Sequence, residues 1–300
     1  MSAGTVVVTG SASGLGLQTA LHLAGRRFDV YATVRDLDSV PAVKDAAAAR
    51  GVSLKTRRLD LADPDSARET IDSVVSEAGG ILALVNNGGI GMRGCLEDTT
   101  DAEVRRVFEA NVFGTIAVTK AVLPHMRAAG RGRIITISSV GGRISSFGVS
   151  VYCATKFAEE GLTEGLALEI APFGLHAVLI EPGIIKTTRW STNRGLAESA
   201  LDPDSAYHDL FRASEVVSDG VVNRSKTTAS DVAEAVYRAM TDPKPKLRYV
   251  VGRPASAAIL LRRYLPERLF EKLYFGGLMR KIQGKAPATL GGDPESGRVS

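Results

Sequence analysis

Thr5-Val6-Val7-Val8-Thr9-Gly10-Ser11-Ala12-Ser13-Gly14-Leu15-Gly16 is a short β-branched run that stops at a glycine and passes into the helix-like pattern of Leu17 to Gly25. Strand, glycine turn and helix in that order are the context that a dinucleotide site requires. Gly10 permits the tight turn, while Gly14 and Gly16 let the backbone approach a pyrophosphate at the positive end of the helix. The blander reading is a structural turn, and the place of the motif at the head of an alternating β/α chain weighs against it.

Outward from this stretch, strand patterns recur at Phe28 to Val34, Ser53 to Leu59, Ile81 to Val85, Gly132 to Ile137, Leu175 to Ile180 and Arg248 to Gly252. Helical patterning fills Asp101 to Met126, Tyr152 to about Glu169, and Ser230 to Met240, and Asp63-Pro64 reads as a helix start. The chain is thereby predicted to be α/β, a Rossmann-type doubly wound sheet of seven mostly parallel strands with helices on both faces. Its expected organisation is a catalytic domain over 1–253, a basic amphipathic extension over 254–283 and a Gly-, Pro- and Ser-rich disordered tail over 284–300. Residues 188–228 lose clear periodicity and are expected to be an irregular segment within the domain.

With 300 residues and 44% hydrophobic content the chain can bury a sizeable core. Cys95 and Cys153 lack CxxC spacing, which suits a reducing compartment, and Cys153 reads as a small buried residue. Met1 to Gly10 has no basic and apolar leader pattern, and no run of 18 apolar residues occurs, so a cytoplasmic location is expected. The net charge of +4 is unevenly placed. From Lys244 onward there are 12 Lys and Arg against 4 Asp and Glu, leaving 25 against 29 before it. The basic residues cluster on no nucleic-acid motif, so no nucleic-acid partner is expected, and no metal is expected.

Chemistry concentrates at Tyr152-Cys153-Ala154-Thr155-Lys156. Tyrosine and lysine four residues apart on a helix share a face, and a neighbouring cation favours the phenolate. Lowering a tyrosine pKa of about 10 by about three units needs roughly 4 kcal/mol of differential stabilisation. Alone, such a pair is more often surface decoration. Asn111 interrupts an apolar helix face, where a bonded core polar residue is the ordinary reading. Ser138-Ser139 ends a strand on the edge where open α/β sheets place ligands.

Thr9-Gly10-x-x-x-Gly14-x-Gly16, Asn86-Asn87-Gly88-Gly89, and the ordered set Asn111, Ser139, Tyr152 and Lys156 together resemble the short-chain dehydrogenase/reductase family over roughly residues 4 to 252. The resemblance implies catalysis by Asn111, Ser139, Tyr152 and Lys156, with Asn111 holding a water beside the lysine. It implies cofactor contacts from Gly10, Ser11, Ser13, Gly14, Leu15, Gly16, Asp60, Leu61, Asn87, Gly88, Tyr152, Lys156, Pro182, Gly183, Ile185 and Thr187. Arg35 follows the second strand, where an arginine accommodates a 2′-phosphate, so NADP(H) is preferred over NAD(H); Arg35 as a solvated charge, with Asp36 on the ribose, is the alternative. Gly88 replaces the family's usual alanine, with little loss expected.

Val30-Tyr31-Ala32-Thr33-Val34-Arg35-Asp36 and Tyr152 to Ala158 are similar to the hydroxysteroid and retinol dehydrogenase branch, which implies a bulky apolar alcohol or carbonyl substrate. In the family, residues 188–228 would be the substrate lid, with Trp190, Tyr207 and Phe211 as its aromatic candidates, and a homodimer or homotetramer is implied. Leu265-Pro266-Glu267 opens an amphipathic helix that Gly276-Gly277 is expected to end. Packing within the protein or against a subunit is preferred for it over peripheral membrane contact. A non-catalytic NADP(H)-binding sensor or scaffold is the alternative function.

Overall fold

The computed structural model describes residues 3–186 and 195–287. β1 (Thr5–Val8), β2 (Asp29–Val34), β3 (Lys55–Arg58), β4 (Ala83–Asn86), β5 (Gly132–Ile137), β6 (Leu175–Pro182) and β7 (Arg248–Val251) form one sheet in the order β3-β2-β1-β4-β5-β6-β7. Every pairing among them is parallel. Between the strands run α1 (Gly14–Ala24), α2 (Val40–Ala48), α3 (Pro64–Ala78), α4 (Asp101–Phe108), α5 (Gly114–Ala129), α6 (Ser150–Ile170), α7 (His208–Arg224) and α8 (Ala229–Thr241). After β7 come α9 (Arg253–Tyr264), α10 (Glu267–Phe270) and α11 (Gly276–Gln283).

Alternation along the strands divides the core in two, because successive side chains leave opposite faces of a sheet. Val6, Val8, Val85, Ile135 and Ile180 meet Leu21 of α1, Val43 of α2 and Val236 of α8 on one face. Val7, Leu84 and Ile134 meet Ile71 of α3, Val118 of α5 and Leu166 of α6 on the other. Covered on both faces, the central strands read as unbroken apolar runs. The edge strand β3 is instead Lys-Thr-Arg-Arg, charges that discourage pairing with another chain. Asp63 caps α3 by accepting from the Asp65 and Ser66 amides, with Pro64 at the first turn.

Asp101–Ala129 runs continuously through a π-helical turn at Glu109–Phe113, and its length and mean hydropathy of 1.2 reach the range of a membrane-crossing helix. Its apolar side chains Val118, Val122 and Met126 are fully buried against the sheet, which makes it a core helix.

Two expectations are corrected. The stretch expected to be irregular contains α7, seventeen residues long. Its sequence hides the helix because apolarity and burial part company there: Val216 is 58% exposed while Ser214 is 3% exposed. Nor does Gly276-Gly277 end the C-terminal helix; Glu271–Phe275 forms a π-helical turn and the chain continues into α11. A glycine costs a helix about 1 kcal/mol, whereas fully burying a large apolar side chain gains about 1.5–3 kcal/mol. Phe270 and Ile282 are both buried, and α11 packs on α7, so tertiary burial overrides the glycine signal. Helix α9 lies in the extension expected to be amphipathic but was not itself expected as a helix; its Leu260, Leu261 and Tyr264 are exposed on one face.

Candidate active site

Strand order reverses between β2-β1 and β4, and the crevice at the carboxyl ends of β1 and β4 is where such sheets take ligands. The two loops leaving those strands are laced together. The Thr9 hydroxyl oxygen accepts from the amides of Asn87 (3.0 Å) and Gly88 (2.9 Å), and the Asn87 side-chain amide donates to the carbonyls of Thr9 (2.9 Å) and Gly10 (3.3 Å). Gly10 turns with φ +66°, and a Cβ on it would lie 2.6 Å from the Gly88 Cα. Gly14 opens α1 at φ +57°, a left-handed conformation that only glycine adopts without strain.

This end of α1 fits an anionic cofactor. Ser13, the residue before the helix, makes no side-chain cap, its hydroxyl is buried without a partner, and the first turn holds no acid. The helix therefore presents amides and the positive end of its dipole to whatever enters the crevice. Ser11 and Leu15, expected among the cofactor contacts, do not face it with their side chains. Ser11 is fully buried, with its hydroxyl on the Val8 carbonyl (2.8 Å) and its amide on Thr33 (2.7 Å), so it pins the loop from beneath. Leu15 packs against the core.

Arg35 and Asp36 lie exposed just beyond β2 and pair with each other, Arg35 Nε to Asp36 Oδ2 at 3.0 Å. Asp60, just beyond β3, accepts from the Ala62 amide at 3.0 Å, and the Leu61 side chain fills the space beside Gly88. At the end of β6, the Gly183 amide donates to the Val251 carbonyl at 2.8 Å, and Ile185 is buried. Thr187 and Trp190 lie outside the described residues.

Asn111 sits inside the π-helical turn, fully buried. It closes a ring of bonds to neighbouring elements: its oxygen accepts from the Ile90 amide (2.7 Å), and its amide donates to the Ile90 carbonyl (2.9 Å) and the Thr155 hydroxyl (3.1 Å). A π-bulge at such a place is a common mark of a functional position. Asn111 thus joins the β4 loop to α6 one residue before Lys156.

Helix α6 carries Tyr152 and Lys156 on one face, with the Lys156 ammonium 5.8 Å from the Tyr152 ring centre. Tyr152 shares a hydrogen bond with Ser139, whose hydroxyl also accepts from the Gly141 amide at 3.0 Å. Lys156 is buried, donating to the Ile137 carbonyl (3.0 Å) and to both carboxylate oxygens of Glu159 (2.9 Å each). Burial pushes the Tyr152 phenol above its usual value; Lys156 and the Ser139 bond pull it down, and Glu159 pushes it up. The cation acts in the expected direction, and in the protein without cofactor burial outweighs it. Burial also opposes the charge on Lys156, and Glu159, with Tyr152 and Glu160, more than restores it.

Four contributors were missed from sequence. Thr9 ties the crevice loops, Thr155 anchors Asn111, and Glu159 partners Lys156. The fourth is an ionic group that locks α6 to the sheet: Arg248 of β7 bonds Glu160 (2.9 Å) and Glu181 (3.2 Å), and Arg143 bonds Glu181 (2.9 Å). The spacing of Lys156 and Glu159, three apart on a helix, was the one legible signal among these. Cys153 is buried, as expected. Phe211 is fully buried with Cys95, Ala197 and Ala200, so it anchors its segment and cannot line the substrate space as expected; Tyr207 packs beside it. Among the described residues no group of His, Cys, Asp or Glu converges on a metal position.

The family model described as short chain dehydrogenase matches residues 4–197. Human 17-beta-hydroxysteroid dehydrogenase type 1 is 35% identical, over 96% of this chain and 88% of that protein. Bovine retinol dehydrogenase 8 is 34% identical, over 87% of this chain and 86% of its own. Among solved structures, a short-chain dehydrogenase from Streptomyces avermitilis superposes with a TM-score of 0.76 at 30% identity, covering 93% of this chain and 98% of that one. The crevice with its uncapped helix, the clustered hydroxyls over a buried lysine and these likenesses agree. The chain belongs to the short-chain dehydrogenase/reductase family, oxidoreductases that act on CH–OH groups with NAD(P), and it resembles the hydroxysteroid and retinol dehydrogenase branch of it.

Proposed function

We propose that this protein interconverts a bulky apolar ketone or aldehyde and its alcohol with NADP(H), in a reducing cytoplasmic compartment. The observation that carries the reading is the convergence of Ser139 and Tyr152 hydroxyls above the buried Lys156, beside the open amino end of α1. When bound, the nicotinamide supplies hydride to the carbonyl carbon or takes it from the alcohol. Ser139 and Tyr152 donate hydrogen bonds to the carbonyl oxygen, and Tyr152 gives that oxygen its proton in reduction and removes it in oxidation. Lys156 lowers the cost of the phenolate, and it would bond the ribose by giving up one of its internal acceptors. Asn111 fixes the turn beside Lys156 and holds the water that resupplies protons. Such acid–base catalysis is worth about 10²–10⁴ in rate.

For the cofactor, the amides of Ser13, Gly14, Leu15 and Gly16 hold the pyrophosphate and Arg35 the 2′-phosphate. Asp60 and Leu61 border the adenine, Asn87 and Gly88 the ribose, and Pro182, Gly183, Ile185 and Thr187 the carboxamide. Residues 188–228 and the C-terminal extension close the substrate space. An apolar substrate is supported by the aromatic cluster of Phe270, Tyr274 and Phe275, with ring centres 5.1–5.6 Å apart. Burial, with a smaller contribution from Cys153, the neighbour of Tyr152, pushes the Tyr274 phenol up. Exposed Phe113, Phe157, Leu168 and Phe173 on the α5–α6 side support a homo-oligomer.

The test is NADPH and NADH oxidation over a panel of apolar and small polar carbonyls, with Tyr152→Phe beside the natural protein. Turnover of apolar carbonyls with NADPH, lost in the variant, is expected; preference for small hydrophilic ketones would overturn the substrate class.

A further inference from the structure

Lys156 spends all three of its N–H groups inside the protein. Its acceptors are the Ile137 carbonyl at the end of β5 and the two oxygens of Glu159, one helical turn on. Both partners are nearly inaccessible, with side chains 8% and 2% exposed. A carboxylate is an expensive group to bury, and it is tolerated where a cation satisfies it directly. Here that cation is the one the reaction needs to act on Tyr152, 5.8 Å away.

We propose that Glu159 is a positioning residue for the reaction: its buried carboxylate holds the Lys156 ammonium against β5 and partly cancels the field that this cation exerts on the Tyr152 hydroxyl. The inference rests on the roles of Tyr152 and Lys156 proposed above. Its consequence is a bias in direction. A phenol that keeps its proton serves as the acid for carbonyl reduction over a wide pH range, and it reaches the phenolate needed for alcohol oxidation only at higher pH.

The surroundings of Glu159 support this assignment. On α6 it faces Lys156, with Glu160 as the nearest like charge, and Tyr152 feels it from two turns earlier. The other elements packed on α6 direct their charges elsewhere: Arg143 after β5, Glu181 of β6 and Arg248 of β7 engage Glu160 and one another. Strand β5 offers the uncharged Ile137 carbonyl, the turn after it Ser139, and the π-helical turn Asn111. Burial lifts the Glu159 carboxyl to about 7 in spite of Lys156, so its charge is itself pH-dependent near neutrality.

The experiment compares the natural protein with Glu159→Gln, which keeps the shape and an acceptor for Lys156 but removes the charge. Tyrosinate absorbance is titrated without cofactor, with Tyr152→Phe subtracted to isolate the Tyr152 signal, and kcat/KM is measured against pH in both directions. The Tyr152 titration is expected to fall by at least about 0.5 pH unit, with the alkaline requirement for oxidation moving down by a similar amount. A Tyr152 titration that stays in place, with kcat/KM reduced equally at every pH, would overturn the proposal and leave Glu159 a packing residue. Should Glu159→Gln fail to fold, Glu159→Asp makes the same comparison, because the shorter carboxylate withdraws from Lys156 and moves Tyr152 in the same direction by less. Loss of turnover in every protein, with the titration shift intact, would count against the proposed reaction and not against the coupling.

Discussion

Replacing Arg248 by leucine tests whether the ionic group behind α6 holds the catalytic helix in place. Arg248 joins Glu160 of α6 to Glu181 of β6, and also pairs with Glu164. The Glu181 side chain is fully buried, and that of Glu160 is 6% exposed. Without the guanidinium, Glu160 loses its hydrogen-bonded partner, its other oxygen already having none, and Glu181 keeps Arg143 alone. Removing one member of a buried ion pair costs about 3–5 kcal/mol, because the remaining charge stays desolvated.

The sign of the pH dependence follows from Glu181, whose carboxyl is lifted above its usual value by burial and by the Glu160 charge. A carboxyl with a raised folded-state pKa binds more protons folded than unfolded, so stability falls as pH rises from the unfolded value through the folded one. Loss of Arg248 removes a cation that lowers the Glu181 carboxyl and so raises it further. The deficit of the variant is therefore expected to be largest at about pH 8 and to shrink towards about pH 5, where the Glu181 carboxyl takes up its proton. Urea unfolding of both proteins at the two pH values measures this, with Arg248→Lys as the control that keeps the charge and loses the fork. A deficit below about 1 kcal/mol that does not change with pH would refute the argument, since that is what a screened surface pair gives.

The neighbouring glycines of the β4 loop should answer differently to the same change. A Cβ on Gly89 would stand 2.9 Å from the Asn111 oxygen, which is held by the Ile90 amide, so Gly89→Ala is expected to lower kcat by about tenfold or more. A Cβ on Gly88 would stand 2.5 Å from the tip of Leu61, a side chain free to change rotamer, so Gly88→Ala should keep kcat within about twofold and stability within about 1 kcal/mol. Arg35→Ala should weaken NADPH binding by about tenfold or more and leave NADH binding within about twofold, measured by fluorescence titration; equal losses for both would refute a 2′-phosphate contact.

The legible parts of the site were those whose geometry is local. A glycine turn between strand and helix, and Tyr152 and Lys156 four apart on α6, are fixed by the backbone periods of strand and helix, which the sequence displays directly. Ser139 and Asn111 were placed by the resemblance to the family, since a strand-ending serine and a core asparagine carry no such signal on their own. Less legible was α7, whose exposed valines and buried serine break the link between pattern and burial on which such reading depends. The glycines at 276 and 277 misled for a related reason, since a local propensity of about 1 kcal/mol was set against the burial of Ile282 on a helix that packs against the distant α7.

From its sequence alone, then, the chain determines a parallel α/β sheet, a dinucleotide crevice at the end of its first strand, and the spacing that puts Tyr152 and Lys156 on one helix face. Tertiary structure alone decides how those groups are poised. Burial pushes the Tyr152 phenol up, Glu159 takes up the Lys156 ammonium, and Arg248 gathers two buried carboxylates behind the helix. The physical reason is that spacing along a chain sets which side chains share a face, whereas the energy of a charge depends on how much water is removed from it and on which opposite charge the fold brings near, and both are properties of the packed molecule.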